Sequence, residues 1–153
     1  MRRAWPWFAV SLAILVADQA TKWLVQAYLA PGERIQLLPF LDLVLVFNKG
    51  ASFSFLADAS GWQRPLFIVI ALVATIVVSV MLVRDPGKKL LCSGLALILG
   101  GALGNVWDRI ALGHVVDFVL LHAYGWHWPA FNVADSAISV GAGIVIVDSF
   151  VHK

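Results

Sequence analysis

The stretch V-V-D-F-V-L-L-H-A-Y-G-W-H-W-P-A-F-N-V-A-D-S-A-I-S, Val115 to Ser139, decides how the rest of the chain is read. It sets two acids, Asp117 and Asp135, at either side of an apolar, aromatic segment. The chain around it is 61% hydrophobic and 13% charged, with a mean hydropathy of +0.87. Soluble domains carry roughly 25% charged residues. Half that share, together with apolar runs of about 20 residues, indicates an integral membrane protein. Carboxylates at a bilayer are costly and mark a functional site by default. The expectation is that Asp117 and Asp135 share one proton and hydrolyse a peptide bond within the membrane.

Working outward, the pattern gives an all-α membrane protein of four transmembrane helices, about 5–29, 65–83, 90–112 and 133–148, in one domain covering 1–153. A signal peptide is the other reading of Met1-Arg2-Arg3 and the apolar run after it. That run continues past Asp18 to Tyr28, too long for an h-region, and has no small-x-small cleavage site. Segments 30–64 and 113–132 lie between helices, with Pro31-Gly32, Pro39 and Gly61 as turn signals. Within the first segment, Leu41 to Phe47 is rich in β-branched and aromatic residues and reads as a strand, a small β element on the membrane surface. Gly113 ends the third helix, and Gly100 and Gly104, four apart, allow a neighbouring helix to approach closely. The single cysteine, Cys92, reads as a small buried hydrophobe.

Arg2, Arg3, Arg84, Lys88, Lys89 and Lys153 all fall on one side of a four-helix arrangement. By the positive-inside rule that side is cytoplasmic, so both termini lie inside and the two longer segments face outward. The net charge of +2 and the lack of a basic stripe exclude nucleic acid as a partner.

Depth then gathers the polar residues. Helices rise about 1.5 Å per residue. Counted from the inner charges, Asp18, Lys22, Asn105, Asp108, Arg109 and Asp135 all fall roughly 20–30 Å across. Asp117 follows the turn at Gly113 and reaches the same level, so the two acids are expected at two helix ends. Asp18 and Lys22 are four apart and share a helix face, as a structural ion pair or as substrate contacts. Asn105, Asp108 and Arg109 also share one face and brace the site; Arg109 is placed to hold an acid ionised, or to bind substrate backbone or a lipid ester. Asn132 is an N-cap for the last helix, and Ser139, four beyond Asp135, is placed to donate a hydrogen bond to it. Asn48 with Gly50 is either a turn or an amide reaching the site from the strand.

Two close carboxylates titrate as a unit, one keeping its proton. The ionised one takes a proton from water and the other polarises the scissile carbonyl, with no metal and no cofactor. The competing reading of the pair is two acids satisfied separately, by Arg109 and by a helix N-terminus. His122 and His127 invite a metal reading, but no further ligand pattern accompanies them. No G-x-S-x-G, H-E-x-x-H or P-loop is present. A proton-coupled carrier or channel subunit is the rival from another class.

Five ordered motifs carry a resemblance. D-Q-x-x-K (Asp18–Lys22), N-x-G-A-x-F (Asn48–Phe53), G-G-A-L-G-N-x-x-D-R (Gly100–Arg109), V-V-D-F (Val115–Phe118) and F-N-x-A-D-S (Phe131–Ser136) resemble the bacterial lipoprotein signal peptidases, or signal peptidase II. The resemblance implies a four-helix inner-membrane aspartic endopeptidase that cuts prolipoprotein signal peptides before a diacylglyceryl-cysteine. It implies Asp117 and Asp135 as the catalytic pair. It also implies that Asp18, Asn48, Gly50, Asn105, Arg109, Asn132 and Ala134 line or support the site, near the periplasmic face. The implied partners are lipid-modified prolipoprotein signal peptides and membrane lipids, and the expected state is monomeric. Ser52 departs from the alanine more usual in the family.

Overall fold

The computed structural model describes residues 3–49 and 62–152. Four helices, α1 (Trp5–Tyr28), α2 (Gln63–Arg84), α3 (Lys89–Ala111) and α4 (Val133–Val151), are long and apolar enough to cross a membrane. Four strands, β1 (Arg34–Leu38), β2 (Leu41–Asn48), β3 (Val115–Ala123) and β4 (Trp126–His127), form one antiparallel sheet in that order. Gly50 and Ser52 lie outside the described residues.

The central element is α3. In its most apolar window 61% of residues are buried, against 11% for α2 and 22% for α1 and α4. Small residues make this possible. A Cβ on Gly94 would come 2.7 Å from the Gly141 carbonyl oxygen, and one on Gly141 would come 2.6 Å from that of Gly94. The backbones of α3 and α4 therefore touch. A Cβ on Gly100 would meet the Ser11 carbonyl oxygen at 2.6 Å, so α1 packs equally close on the other side. There the buried Ser11 hydroxyl donates to the Ala96 carbonyl at 2.9 Å. Cys92 is fully buried with Val78, Leu82, Leu95 and Leu99, between α2 and α3.

The sheet covers the end of the bundle where α1 and α3 finish and α4 begins. Leu45, Val116 and Phe118 pack against Val25 of α1 and Leu29 just beyond its end, with Val133 of α4 beside them. Gly113, at φ 80°, turns the chain out of α3 and straight into β3. The expectation that Asp117 sits at a helix end is therefore corrected: it is the third residue of β3. Val115, Val116, Phe118 and Val119 suit a pleated surface better than a loop. They escape the usual alternation test because Val115 to Phe118 are all buried, whichever face they point to. Beyond them, Tyr124 (φ 50°) and Gly125 (φ 81°) make a two-residue hairpin turn of the kind that needs two positive φ angles. The return strand brings Phe131 back onto Val119, with backbone bonds of 2.9 and 3.0 Å between them. This clamp fixes Asn132, the next residue.

Candidate active site

Asn132 starts α4 and is fully buried. Its side-chain oxygen accepts the Asp135 N–H at 2.9 Å, and its own N–H donates to Asp135 Oδ2 at 3.2 Å. This reciprocal capping box satisfies orphan donors at the helix start and holds the Asp135 carboxylate in the first turn. The Asn132 Nδ2 group points the other way. It donates to Asp117 Oδ1 at 2.8 Å and to the Val116 carbonyl at 3.1 Å, with Asn105 Oδ1 at 3.3 Å. One residue thus holds both acids.

Each acid has a second amide donor. Asn48 Nδ2 donates to Asp117 Oδ2 at 3.0 Å, and Asn105 Nδ2 donates to Asp135 Oδ1 at 2.8 Å. Register explains the first contact: Val46 lies opposite Asp117 and Asn48 opposite Val115, so Asn48 and Asp117 are diagonal neighbours across β2 and β3. The environments of the two acids differ. Asp117 is 2% exposed, whereas Asp135 is half-buried. Burial pushes the Asp117 carboxyl up to about 7 against the hydrogen bond from Asn48, and the neighbouring Asp135 carboxylate adds to the rise.

Behind the pair lies a buried charge cluster. Lys22 Nζ sits 2.7 Å from Asp18 Oδ2, 2.8 Å from Asp108 Oδ2 and 3.2 Å from Asn105 Oδ1. Asp18 Oδ1 accepts the Ala134 N–H at 2.8 Å, another orphan donor of α4. Asp108 Oδ2 accepts the Val116 N–H at 3.1 Å, next to Asp117. The cluster therefore pins the backbone beside each acid, one on β3 and one on α4. Gly104 makes space for it, since a Cβ there would fall 2.5 Å from Asp18 Oδ2.

Asp18, Lys22, Asn48, Asn105, Asp108, Asn132 and Ala134 are all brought together with the two acids. Arg109 is half-buried; its Nη1 donates to the Asn105 carbonyl at 3.2 Å and its guanidinium lies 5.4 Å from the Phe67 ring centre. Ser139 is exposed, and the oxygens of Asp135 take Asn105 and Asn132 as donors instead. His122 lies 3.1 Å from the buried Asp42 carboxylate, which also binds Arg34, and its ring stacks on His127 at 5.8 Å. These groups brace the sheet from β1 to β4. One residue of the cluster was not singled out from the sequence. Gln19 Nε2 donates to Asp108 Oδ1 at 2.9 Å, with Asp18 Oδ2 and the Gly104 carbonyl each at 3.2 Å. Its place in D-Q-x-x-K, beside Asp18, was the available signal.

The signal peptidase (SPase) II family matches residues 10–151. The chain belongs to the signal peptidase II family. It is therefore a peptidase of a membrane-embedded type. Among similar proteins, the lipoprotein signal peptidase of Paraburkholderia phytofirmans is 52% identical over 143 residues, covering 94% of this chain and 83% of that protein. That of Polynucleobacter necessarius is 51% identical over 140 residues, covering 92% and 86%. A bacterial membrane enzyme solved by the in meso method at 2.3 Å resolution shares the fold. Its TM-score is 0.84 at 26% identity, with 95% of this chain and 87% of that chain covered. A second such structure, at 1.9 Å, gives 0.81 at 26% identity, covering 93% and 90%. Within a signal peptidase II, the buried charge cluster and the amide-bound acids form the polar centre of an otherwise apolar bundle.

Proposed function

We propose that this signal peptidase II removes prolipoprotein signal peptides with Asp117 and Asp135 as a shared-proton pair. The site faces the periplasm, and the sheet lies on the outer surface of the bacterial inner membrane. The observation that carries the reading is Asn132, whose side chain holds Asp117 while its backbone holds Asp135. Two acids satisfied in separate places would need no such common residue.

The roles divide by environment. Asp135 is half-buried in the first turn of α4, where the Asn132 backbone N–H and the Asn105 amide both donate to it. It takes the proton of a water molecule as the water oxygen attacks the scissile carbonyl carbon. Asp117, kept protonated by burial, gives its proton to the carbonyl oxygen. The resulting gem-diol collapses; the proton held by Asp135 passes to the leaving nitrogen, the C–N bond breaks, and one hydroxyl proton returns to Asp117. The products are a new carboxyl end on the signal peptide and a free amine on the lipid-bearing cysteine. The lipid anchor keeps the scissile bond at the bilayer surface, the depth of the two acids.

The test is mass spectrometry of a lipidated prolipoprotein peptide incubated with the purified protein. Cleavage directly before the modified cysteine is expected, and Asp117→Asn or Asp135→Asn should each abolish it in a folded protein. Activity should fall as pH rises through about 7, where Asp117 loses its proton. Wild-type turnover by either variant would end the assignment.

A further inference from the structure

The end of the bundle opposite the acids carries a cavity with charged side chains at its rim. A cavity of about 490 Å³ lies between the start of α3 and the end of α4, lined by Gly87, Lys88, Lys89, Leu90, Asp148 and His152. Its one carboxylate is already engaged: His152 Nδ1 is 2.9 Å from Asp148 Oδ1. Lys88 Nζ reaches Asp85 at 3.1 Å on the exposed side, and Lys89 adds a second ammonium. Lys88 is the N-cap of α3 but makes no capping bond, and the first turn has no acid. Its orphan N–H groups add positive potential at the cavity rim. The Trp7 indole donates to the Pro86 carbonyl at 3.1 Å, tying the loop to α1. Beside Asp148, α4 exposes Val147 and, two turns further from the cavity, Val140 on the same face.

We propose that this cavity binds the phosphodiester headgroup of an anionic phospholipid in the leaflet facing the α2–α3 loop. Lys89 and Lys88, the latter shared with Asp85, meet the phosphate, and the acyl chains run along Val147 and Val140. A basic cavity between membrane-helix ends suits a lipid phosphate. The apolar wall running away from it suits a lipid better than free phosphate. Nothing in the peptide-cleaving reading requires this site.

Native mass spectrometry of the full chain with equimolar phosphatidylglycerol and phosphatidylcholine tests it. Wild type should retain phosphatidylglycerol roughly tenfold over phosphatidylcholine, and Lys88→Gln/Lys89→Gln should bring this within about twofold. Arg84→Gln removes a cation at the end of α2, outside the cavity, and should leave the preference unchanged. Millimolar inorganic phosphate should not displace the lipid. The proposal is overturned by wild type showing no preference, by the double lysine variant keeping it, or by Arg84→Gln losing as much as that variant. The last result would mean diffuse surface charge. Displacement by phosphate would also overturn it, as a site for the free ion. Lipid occupancy is read directly, so the outcome does not depend on peptide cleavage.

Discussion

Lys22 is 2% exposed and its ammonium serves three acceptors, two of them carboxylates. Replacing it by methionine keeps the bulk and removes the charge. Asp18 and Asp108 would then be buried near one another with no cation. Loss of one partner from a buried ion pair typically costs about 3–5 kcal/mol. Lys22→Met should lower the thermal midpoint in detergent by many degrees, while Lys22→Arg should recover part of the loss. A second residue-scale prediction concerns Asp117. Its carboxyl is raised from an ordinary 3.8 to about 7 in the fold, so the native state holds a proton that the unfolded chain releases. Stability from this group therefore falls as pH rises from about 4 to about 7. Asp117→Asn has no such dependence. Relative to wild type it should gain on the order of a few kcal/mol between pH 4 and pH 8, measured as the change in the stability difference. A constant difference across that range would contradict the burial argument. At this scale much was legible: the four-residue spacing of Asp18 and Lys22 already pairs them. Asp108 as a second acceptor was not legible, because spacing along α3 does not fix how α3 is rotated against α1.

At the scale of elements, the packing of α1, α3 and α4 depends on glycines whose duties differ. Gly104 leaves room for the Asp18 carboxylate, which in turn caps Ala134 of α4. Gly143, also in a helix, has nothing within 4 Å of an added Cβ. Gly104→Ala should therefore displace Asp18, cost about 1–3 kcal/mol and reduce peptide cleavage. Gly143→Ala should stabilise by about 0.5–1 kcal/mol with activity unchanged. Comparing the thermal midpoints and rates of the two variants separates a crowding effect from a helix-propensity effect. Equal shifts would refute the role given to Gly104. The four helices were legible because long apolar runs leave few alternatives in a chain of this composition. Of the sheet, only β2 was legible. β3 lacks the alternation that marks a half-exposed strand, and β1 and β4 are too short to stand out from a loop.

For the whole molecule, the two ends of the bundle differ in charge and in chemistry. Asp18, Lys22, Asn105, Asp108, Asp117 and Asn132 are buried together at the end covered by the sheet. Arg84, Lys88 and Lys89 stand at the end of α2, in the following loop and at the start of α3, at the other end. Between them the buried polar side-chain groups among the described residues are few: Ser11, satisfied by the Trp7 and Ala96 carbonyls, and the Thr75 hydroxyl on α2, until Asp148 is reached. A proton path through the bundle would need polar groups at successive depths, and the glycine-lined contacts of α3 fill that region instead. A hydrolase acting at one surface needs only the polar end. The proposed orientation, with this end outside, rests on the basic residues around the α2–α3 loop, because Lys and Arg are retained on the cytoplasmic side. Tyr124, at the fully exposed tip of the β3–β4 hairpin, and Gly87, in the basic loop, lie at opposite ends and serve as reporters. With Cys92 buried and shielded, Tyr124→Cys should react with a membrane-impermeant maleimide in intact spheroplasts. Gly87→Cys should react only after the membrane is opened. The reverse pattern would place the acids on the cytoplasmic face, where a lipid-anchored substrate emerging outward could not meet them.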